Sequence, residues 1–131
     1  MQKLKTFLNT IYLGDRFCEK MEIARNKIVI QINLISRIKK EHKKQDYYFE
    51  ENIEHGHLVF DDVIEYFQDS ELLFNDEIYE IQVIDKKDDI YCFVICGCNI
   101  SDKSVSTDIQ MHIWAKKFYI FDQTNNRVIT E

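Results

Sequence analysis

The stretch Lys27-Ile28-Val29-Ile30-Gln31-Ile32-Asn33-Leu34-Ile35-Ser36-Arg37-Ile38 carries the clearest structural signal in this chain. Its apolar residues Ile28, Ile30, Ile32 and Leu34 recur at every second position. Successive side chains of a β-strand point to opposite faces, so this spacing predicts a strand with one buried face and one wetter face. Strands of this kind are typical of antiparallel sheets that cover a core on one side. The stretch therefore predicts a mainly β, antiparallel protein.

Other segments of the chain carry the same alternation or a short continuous apolar run. The candidate strands are 17–24, 28–38, 58–67, 77–84, 90–96, 109–115, 117–121 and 127–129. Segment 90–96 is apolar on both sides, which predicts a central strand. About seven to nine strands at this spacing are typical of an antiparallel β-sandwich or a partly open barrel, which is the predicted fold.

The first residues follow a helical period instead. Leu4, Phe7, Leu8 and Ile11 fall on one helical stripe. Gly14 follows at a place where helices commonly end in a left-handed residue. We therefore expect one N-terminal helix over about residues 2–13 and a β-rich region over 17–131. The length of 131 residues is typical of one domain, so a single domain over 1–131 is predicted.

The stretch Leu13-Gly14-Asp15-Arg16 leads from this helix to the first strand. It is interpreted as a structural corner. In this interpretation Asp15 and Arg16 satisfy exposed backbone groups and one another.

The segment that contains Phe60, Val63, Ile64 and Phe67 is ambiguous, because these residues also fit a helical spacing. The favoured interpretation is a strand that bulges or turns near residues 61–62. A helix over 61–70 remains the alternative.

The charge balance restricts the possible partners. The chain has 17 Lys and Arg against 23 Asp and Glu, a formal charge of −6. A nucleic-acid-binding face would be basic, so no nucleic acid is expected as a partner. No stretch approaches the roughly 18 apolar residues of a membrane-spanning helix, and the first residues do not form a signal peptide. We therefore expect a cytoplasmic protein with no membrane partner and with reduced cysteines.

The residue types of a tetrahedral zinc site occur as two pairs, His55 with His57 and Cys96 with Cys98. Structural zinc sites more often separate their cysteines by two to four residues, and nothing in the sequence shows that the pairs meet. The favoured interpretation is a surface loop and the end of a buried strand. No metal, cofactor or catalytic residue is predicted.

Acidic residues are interleaved with aromatic residues between positions 61 and 80. Charge that steers an encounter and aromatic anchors that hold it are typical of surfaces that capture a basic protein. Trp114 is expected, with His112, on the outward face of its strand. The candidate binding residues are Asp61, Asp62, Glu65, Tyr66, Asp69, Glu71, Asp76, Glu77, Tyr79 and Trp114. The alternative, in which the aromatic residues are buried and the acids are only solvated, stays open. The basic run 39–44 is interpreted as a solvated loop.

Short motifs along the chain resemble a known group of proteins. They are Tyr12-Leu13-Gly14-Asp15-Arg16-Phe17-Cys18, Leu34-Ile35-Ser36-Arg37, Leu58-Val59-Phe60, Ile113-Trp114-Ala115 and Ile120-Phe121-Asp122. With these motifs the chain resembles a family of small uncharacterised bacterial single-domain proteins. That resemblance implies a bacterial cytosolic β-rich domain and brings no catalytic residues. In size, acidity and lack of catalytic motifs the chain also resembles, more distantly, bacterial toxin-immunity proteins.

The leading functional hypothesis is a non-enzymatic protein-binding module that recognises a basic protein, such as a basic toxin in an immunity-type complex. One alternative is a small-molecule or metal-dependent enzyme that uses the histidines and cysteines. Another is a structural homo-oligomer, such as a homodimer formed by pairing of edge strands.

Overall fold

The computed structural model describes residues 1–38 and 49–131. These residues form one helix, α1 (Gln2–Asn9), and ten strands. The strands are β1 (Ile11–Tyr12), β2 (Cys18–Ile23), β3 (Lys27–Ile32), β4 (Leu34–Ile38), β5 (Phe49–Glu54), β6 (His57–Gln68), β7 (Ile78–Lys87), β8 (Ile90–Ile100), β9 (Ser106–Asp122) and β10 (Arg127–Ile129). The basic run 39–44 lies outside the described residues.

The strands form two antiparallel sheets. The larger sheet has the order β2-β3-β6-β9-β8-β7, with β10 added to β9, and the smaller sheet has the order β1-β4-β5. The prediction of a mainly β, antiparallel fold with one N-terminal helix is confirmed, and the architecture is consistent with a sandwich. Within the described residues no helix is long and apolar enough to cross a membrane.

The stretch 27–38 forms two strands rather than one. Strand β3 pairs with β6 in the larger sheet, whereas β4 pairs with β5 in the smaller one. Gln31 pairs with His57 and Leu34 pairs with Glu54, so the register passes from one sheet to the other without a shift. Strands β3-β4 and β5-β6 are therefore the two arms of one long hairpin that is bent between the sheets.

The bend changes which residues of this stretch are buried. Ile28, Ile30 and Ile32 are buried, as the alternation predicts. Leu34 is only half-buried, and its neighbour Ile35 takes the core position instead. The prediction that Leu34 continues the buried face of one strand is thus wrong, because the chain turns at the residue before it.

Hydrogen bonds around Asn33 hold the bend. The Asn33 side-chain oxygen accepts a bond from the backbone N–H of Phe17 at 2.9 Å, and its backbone oxygen accepts one from His55 N–H at 3.0 Å. Ile32 N–H donates to the backbone oxygen of Gly56 at 2.9 Å. Backbone groups that leave one sheet at the bend thereby find partners before they enter the next.

The helix is shorter than predicted. It ends at Asn9, and Thr10 follows in a right-handed conformation with its hydroxyl donating to the backbone oxygen of Phe7 at 2.7 Å. Ile11 already pairs with β4 as part of β1. Pairing with a neighbouring strand satisfies the backbone that would otherwise continue the helix. Gly14 therefore does not end the helix, and it does not adopt a positive φ.

The corner after β1 is held differently from the prediction. Asp15 adopts the left-handed conformation, with φ of 56°. Arg16 donates to the hydroxyl of Ser36 at 3.1 Å, and its guanidinium lies 5.2 Å from the centre of the Tyr12 ring. Arg16 thus ties the corner to the smaller sheet rather than to Asp15.

An aromatic cluster joins the helix to the larger sheet. The Phe60 ring lies 5.1 Å from that of Phe93 and 5.0 Å from that of Phe118, measured between ring centres. Phe118 in turn lies 5.7 Å from Phe7 of α1. The core therefore occupies the face of the larger sheet that α1 and the smaller sheet cover, which we call the inner face. We call the opposite side the outer face.

Substitution of Gly56 tests how tightly the bend is packed. A Cβ at this position would lie 2.7 Å from Ile35 Cδ1 and 3.0 Å from Ile53 Cγ2, both in the core. We expect Gly56→Ala to lower the free energy of unfolding by about 1–3 kcal/mol through overpacking. Urea unfolding measures this. Gly14→Ala is the control, because Gly14 is exposed and the nearest atoms to its added methyl belong to the outer end of the Tyr12 side chain, which can shift without disturbing the core. Equal stability of the two variants would contradict a tightly packed bend.

Candidate protein-interaction surface

The outer face of strands β6, β9, β8 and β7 is built from rows of cross-strand neighbours. Residues directly opposite each other in antiparallel strands project to the same face. One outer row consists of Glu65, Trp114, Cys92 and Asp85, and the next consists of Phe67, His112, Val94 and Gln82. The intervening row, which includes Ile113, Phe93 and Val83, is buried in the core.

Three β-bulges shape this face. They lie between Val63 and Glu65, between Ile78 and Glu80, and between Val83 and Asp85. A bulge inserts an extra residue and can redirect its side chain. The extra residues here are apolar and exposed.

The exposure of these three residues is high for large apolar side chains. Ile64 is 57% exposed, Tyr79 48% and Ile84 51%. The residue before each of them in the chain packs toward the core. Phe67, in the second outer row, is 61% exposed. Each bulge therefore lets an apolar residue and the acid after it both face outward, where a regular strand would turn the second of the two inward.

Acidic side chains stand beside these apolar groups. Glu65 and Asp85 lie at opposite ends of the Trp114 row, while Glu80 and Asp108 follow in later rows. The Tyr79 hydroxyl donates to Asp108 Oδ1 at 3.3 Å. We call this set the acidic-apolar surface. It comprises Ile64, Glu65, Phe67, Tyr79, Glu80, Gln82, Ile84, Asp85, Val94, Asp108, His112 and Trp114.

The acids of the acidic-apolar surface differ from many acids elsewhere in the chain. Six acids of other regions pair with Lys, Arg or His, namely Glu19, Glu22, Asp61, Asp62, Asp89 and Asp122. By contrast, Glu65, Glu80, Asp85 and Asp108 form no ion pair with any cation in the described part of the chain. Their negative charge is therefore left to face solvent.

Trp114 forms the centre of the first outer row. Its ring stacks on His112, with ring centres 5.9 Å apart and planes inclined by 23°. Beside it runs a groove of about 400 Å³. Its lining residues are Ile64, Glu65, Asp85, Lys86, Lys87, Asp88, Ile90, Cys92 and Trp114. Burial raises the pKa of the Cys92 thiol, and the nearby Asp85 charge adds to this, so the thiol stays protonated at neutral pH.

The residues that the sequence predicts as one binding set lie in different places in the structure. Glu65, Tyr79 and Trp114 lie on the acidic-apolar surface. Asp61 and Asp62 lie beyond a kink in β6, where Asp62 has a φ of 50°. There Asp61 pairs with Lys27 at 3.9 Å and Asp62 pairs with Lys117 at 3.4 Å. Segment 61–68 is a bulged strand, as predicted, and not a helix.

The remaining candidates have other roles or lie at the margin. Tyr66 is opposite Ile113 in the register of the inner face. Asp69 accepts a bond from Gln110 N–H at 3.0 Å, and Glu71 is exposed in the following segment. Backbone oxygens of Asp76 and Glu77 accept bonds from Cys18 and Cys98. Asp76 and Glu77 thus lie in a crossing segment that passes close to Gly97.

Close packing, rather than metal binding, explains why a glycine lies at position 97. A Cβ there would lie 2.7 Å from the Glu77 backbone oxygen and 2.8 Å from the Phe74 ring. Phe74 is buried, so the aromatic residues of this region divide between core and surface. The glycine between Cys96 and Cys98 lets segment 74–77 cross over β8.

The two candidate metal-ligand pairs do not meet. Cys98 lies opposite Asp108 and His57 lies opposite Phe121, both on β9. Those two partners are thirteen positions apart, which corresponds to about 40 Å of strand. His55 Nδ1 instead lies 2.6 Å from Glu19 Oε1, and His57 Nε2 lies 3.2 Å from Gln31 Oε1. Residues 1–38 and 49–131 contain no cluster of three or more His, Cys, Asp or Glu placed to hold a metal ion.

Sequence reasoning missed part of the acidic-apolar surface. The candidate strand 77–84 stops before Asp85, but β7 continues to Lys87 and places Asp85 opposite Cys92. The sequence also gives no sign of the bulge that lets Ile84 and Asp85 both face outward. His112 and Trp114 were expected to share an outward face, and the structure places them there.

The comparisons with known proteins add one finding. The model of the family of unknown function DUF6258 matches residues 1–131. The chain belongs to this family. The resemblance to a family of uncharacterised proteins is thereby confirmed. No curated protein and no solved structure matches the chain.

His55 and His57, which lie at the bend between the sheets, are expected to titrate at different pH values. The hydrogen bond and charge of Glu19 raise the pKa of His55, whereas burial lowers the pKa of His57. NMR titration of the ring protons measures both. In DUF6258 protein carrying Glu19→Gln we expect the pKa of His55 to fall toward its ordinary value and that of His57 to change little.

The same pair gives a pH dependence of stability with a defined sign. Glu19 has a lowered pKa because His55 binds it, so its contribution is lost as the pH falls through that value. His55 has a raised pKa, so its contribution is lost as the pH rises through it. The stabilisation is therefore centred between the ordinary pKa values of Glu and His, about pH 4.5 to 6.5. An identical pH profile for wild type and Glu19→Gln would contradict the pair.

Proposed function

We propose that this member of the DUF6258 family is a non-enzymatic protein-binding module that engages a basic partner through its acidic-apolar surface. The observation that carries this proposal is the combination of exposed apolar side chains with acids that lack an ion pair in the described residues. Scattered apolar residues on a surface need no explanation, but a contiguous apolar patch rimmed by polar groups is typical of an interaction site.

The chemistry of the surface indicates the character of its partner. Uncompensated carboxylates attract a basic face and raise the rate of encounter. Trp114, Phe67 and Tyr79 are residue types that supply much of the binding energy at interfaces when they become desolvated. A basic toxin neutralised by an immunity-type complex is one partner of this chemistry, and it is the one we propose, with the complex formed in the cytoplasm.

The rigidity of the scaffold also suits a binding role. Strands β6, β9 and β8 form a continuous ladder, so the side chains of the outer rows are fixed relative to one another. Groups that are already ordered lose little conformational entropy when a partner binds. The acidic-apolar surface is therefore preorganised.

Charge reversal with a matched control tests the electrostatic part. The test variant is Glu65→Lys/Asp85→Lys, and the control is Glu22→Lys/Glu54→Lys, which changes the net charge equally on other strands. Each protein is used to capture partners from lysate of the source organism, and the retained protein is then purified and titrated by calorimetry. We expect a basic protein that the wild type and the control retain and the test variant loses, with affinity reduced about tenfold or more.

The salt dependence of the same complex provides a second readout. We expect raised ionic strength to weaken wild-type binding, because screening reduces attraction between exposed charges. Equal retention by both variants, or equal loss from both, would contradict binding through the acidic-apolar surface. Thermal unfolding of each variant checks that both remain folded.

Truncation of an exposed aromatic residue tests the apolar part. Phe67→Ala should change the free energy of unfolding by no more than about 0.5 kcal/mol, because the ring is mostly exposed. The same variant should weaken partner binding about tenfold or more if Phe67 becomes buried in the complex. Phe17→Ala is the control, since Phe17 is also an exposed phenylalanine and lies outside the acidic-apolar surface. Similar affinities for the two variants would exclude Phe67 from the interface.

A further inference from the structure

The groove beside Trp114 has an arrangement that a flat surface lacks. Glu65, Trp114, Cys92 and Asp85 form one cross-strand row, so the indole and a buried thiol lie between two carboxylates. Strands β6 and β7 are three strand spacings apart, or about 14 Å. The opposing walls thus frame the indole and leave room for a side chain from outside.

The charged side chains that line the groove differ in whether they already have a bonding partner. Asp85 Oδ1 accepts a bond from the backbone N–H of Lys86 at 2.8 Å. Within the described ranges the Glu65 carboxylate forms no hydrogen bond or ion pair. Lys86 directs its ammonium over the Tyr91 ring, 5.2 Å from its centre, and pairs with Tyr91 in the inner register. Lys87 lies opposite Ile90 on the same outer face as Asp85, so it also lines the groove, beside Asp88.

The groove therefore presents an aromatic floor with a carboxylate on each side. A guanidinium group can stack on an indole and donate paired hydrogen bonds to a carboxylate at the same time. An ammonium group is a compact, strongly hydrated charge and matches this geometry less well. Arginine is also enriched at the energetic centres of protein interfaces.

We propose that this groove receives an arginine side chain of the partner, with its guanidinium stacked on Trp114 and hydrogen-bonded to Glu65. Asp85 attracts the same cation from the opposite wall. This assignment rests on the proposed function, since it names the group by which a basic partner is anchored on the acidic-apolar surface. It makes Glu65 and Trp114 the residues that determine specificity.

The test uses three capped tripeptides as probes, Gly-Arg-Gly, Gly-Lys-Gly and Gly-citrulline-Gly, added to the full chain at millimolar concentration. Citrulline keeps the planar shape of arginine without its charge. Trp114 is the only tryptophan in the chain, so its fluorescence and its indole N–H resonance report on this groove alone. Amide resonances of Glu65 and Asp85 provide an independent readout by NMR.

We expect the arginine peptide to shift the Trp114, Glu65 and Asp85 signals, the lysine peptide to shift them less, and the citrulline peptide to leave them in place. Glu65→Gln should weaken arginine binding by about threefold or more, because a neutral amide replaces a charged acceptor. Glu22→Gln is the control and should have no effect. Equal shifts with citrulline, or unchanged binding to the Glu65→Gln protein, would overturn the assignment.

Two outcomes separate this assignment from the proposed function. If charge reversal abolishes partner binding while the arginine peptide gives no shift, the acidic-apolar surface binds its partner by other contacts and the arginine assignment fails. If the arginine peptide binds as expected but the partner binds the charge-reversal variant normally, the groove is correct as a cation site and the proposed partner surface is wrong.

Discussion

The bend at Asn33 and Gly56 determines the rest of the structure. It lets one hairpin supply neighbouring strands to both sheets, so the smaller sheet is folded back over the inner face of the larger one. Hydrogen bonds from Phe17 and His55 fix Asn33, and the lack of a Cβ at Gly56 gives Ile35 room in the core. Since α1 also packs on this inner side, residues 1–38 and 49–131 cover one face of the larger sheet and leave part of the other face exposed.

The β-bulges determine which side chains the outer face presents. A strictly alternating strand would place apolar residues on the inner face and polar residues on the outer face. Each bulge breaks the alternation and lets an apolar residue and the acid after it face outward together, namely Ile64 with Glu65, Tyr79 with Glu80 and Ile84 with Asp85. Two of the bulges lie in β7, the last strand in the order of the larger sheet, and they make its edge less regular as a template for pairing with another chain.

How well the sequence predicts each part of the fold depends on how far apart in sequence the interacting residues lie. Alternation at Ile28, Ile30 and Ile32 is a local signal, and it predicted the strand correctly. The turn at Asn33 depends on partners far away in sequence, such as Phe17 and His55, so no local pattern could predict it. The helix was predicted too long for the same reason, because the pairing of Ile11 with Arg37 is a long-range contact.

The candidate binding residues also divide into those that the sequence predicts correctly and those whose surroundings depend on long-range pairing. Composition pointed to Glu65 and Tyr79, since aromatic residues among acids are visible in a sequence, and strand alternation pointed to Trp114. Asp61 and Asp62 share that composition but lie beyond the kink in β6, where Lys27 and Lys117 pair with them. An acid whose neighbour across the strand is a lysine is already compensated, whereas Glu65 faces Trp114. Cross-strand pairing therefore distinguishes Asp61 from Glu65, and that pairing depends on a register that only the folded sheet defines.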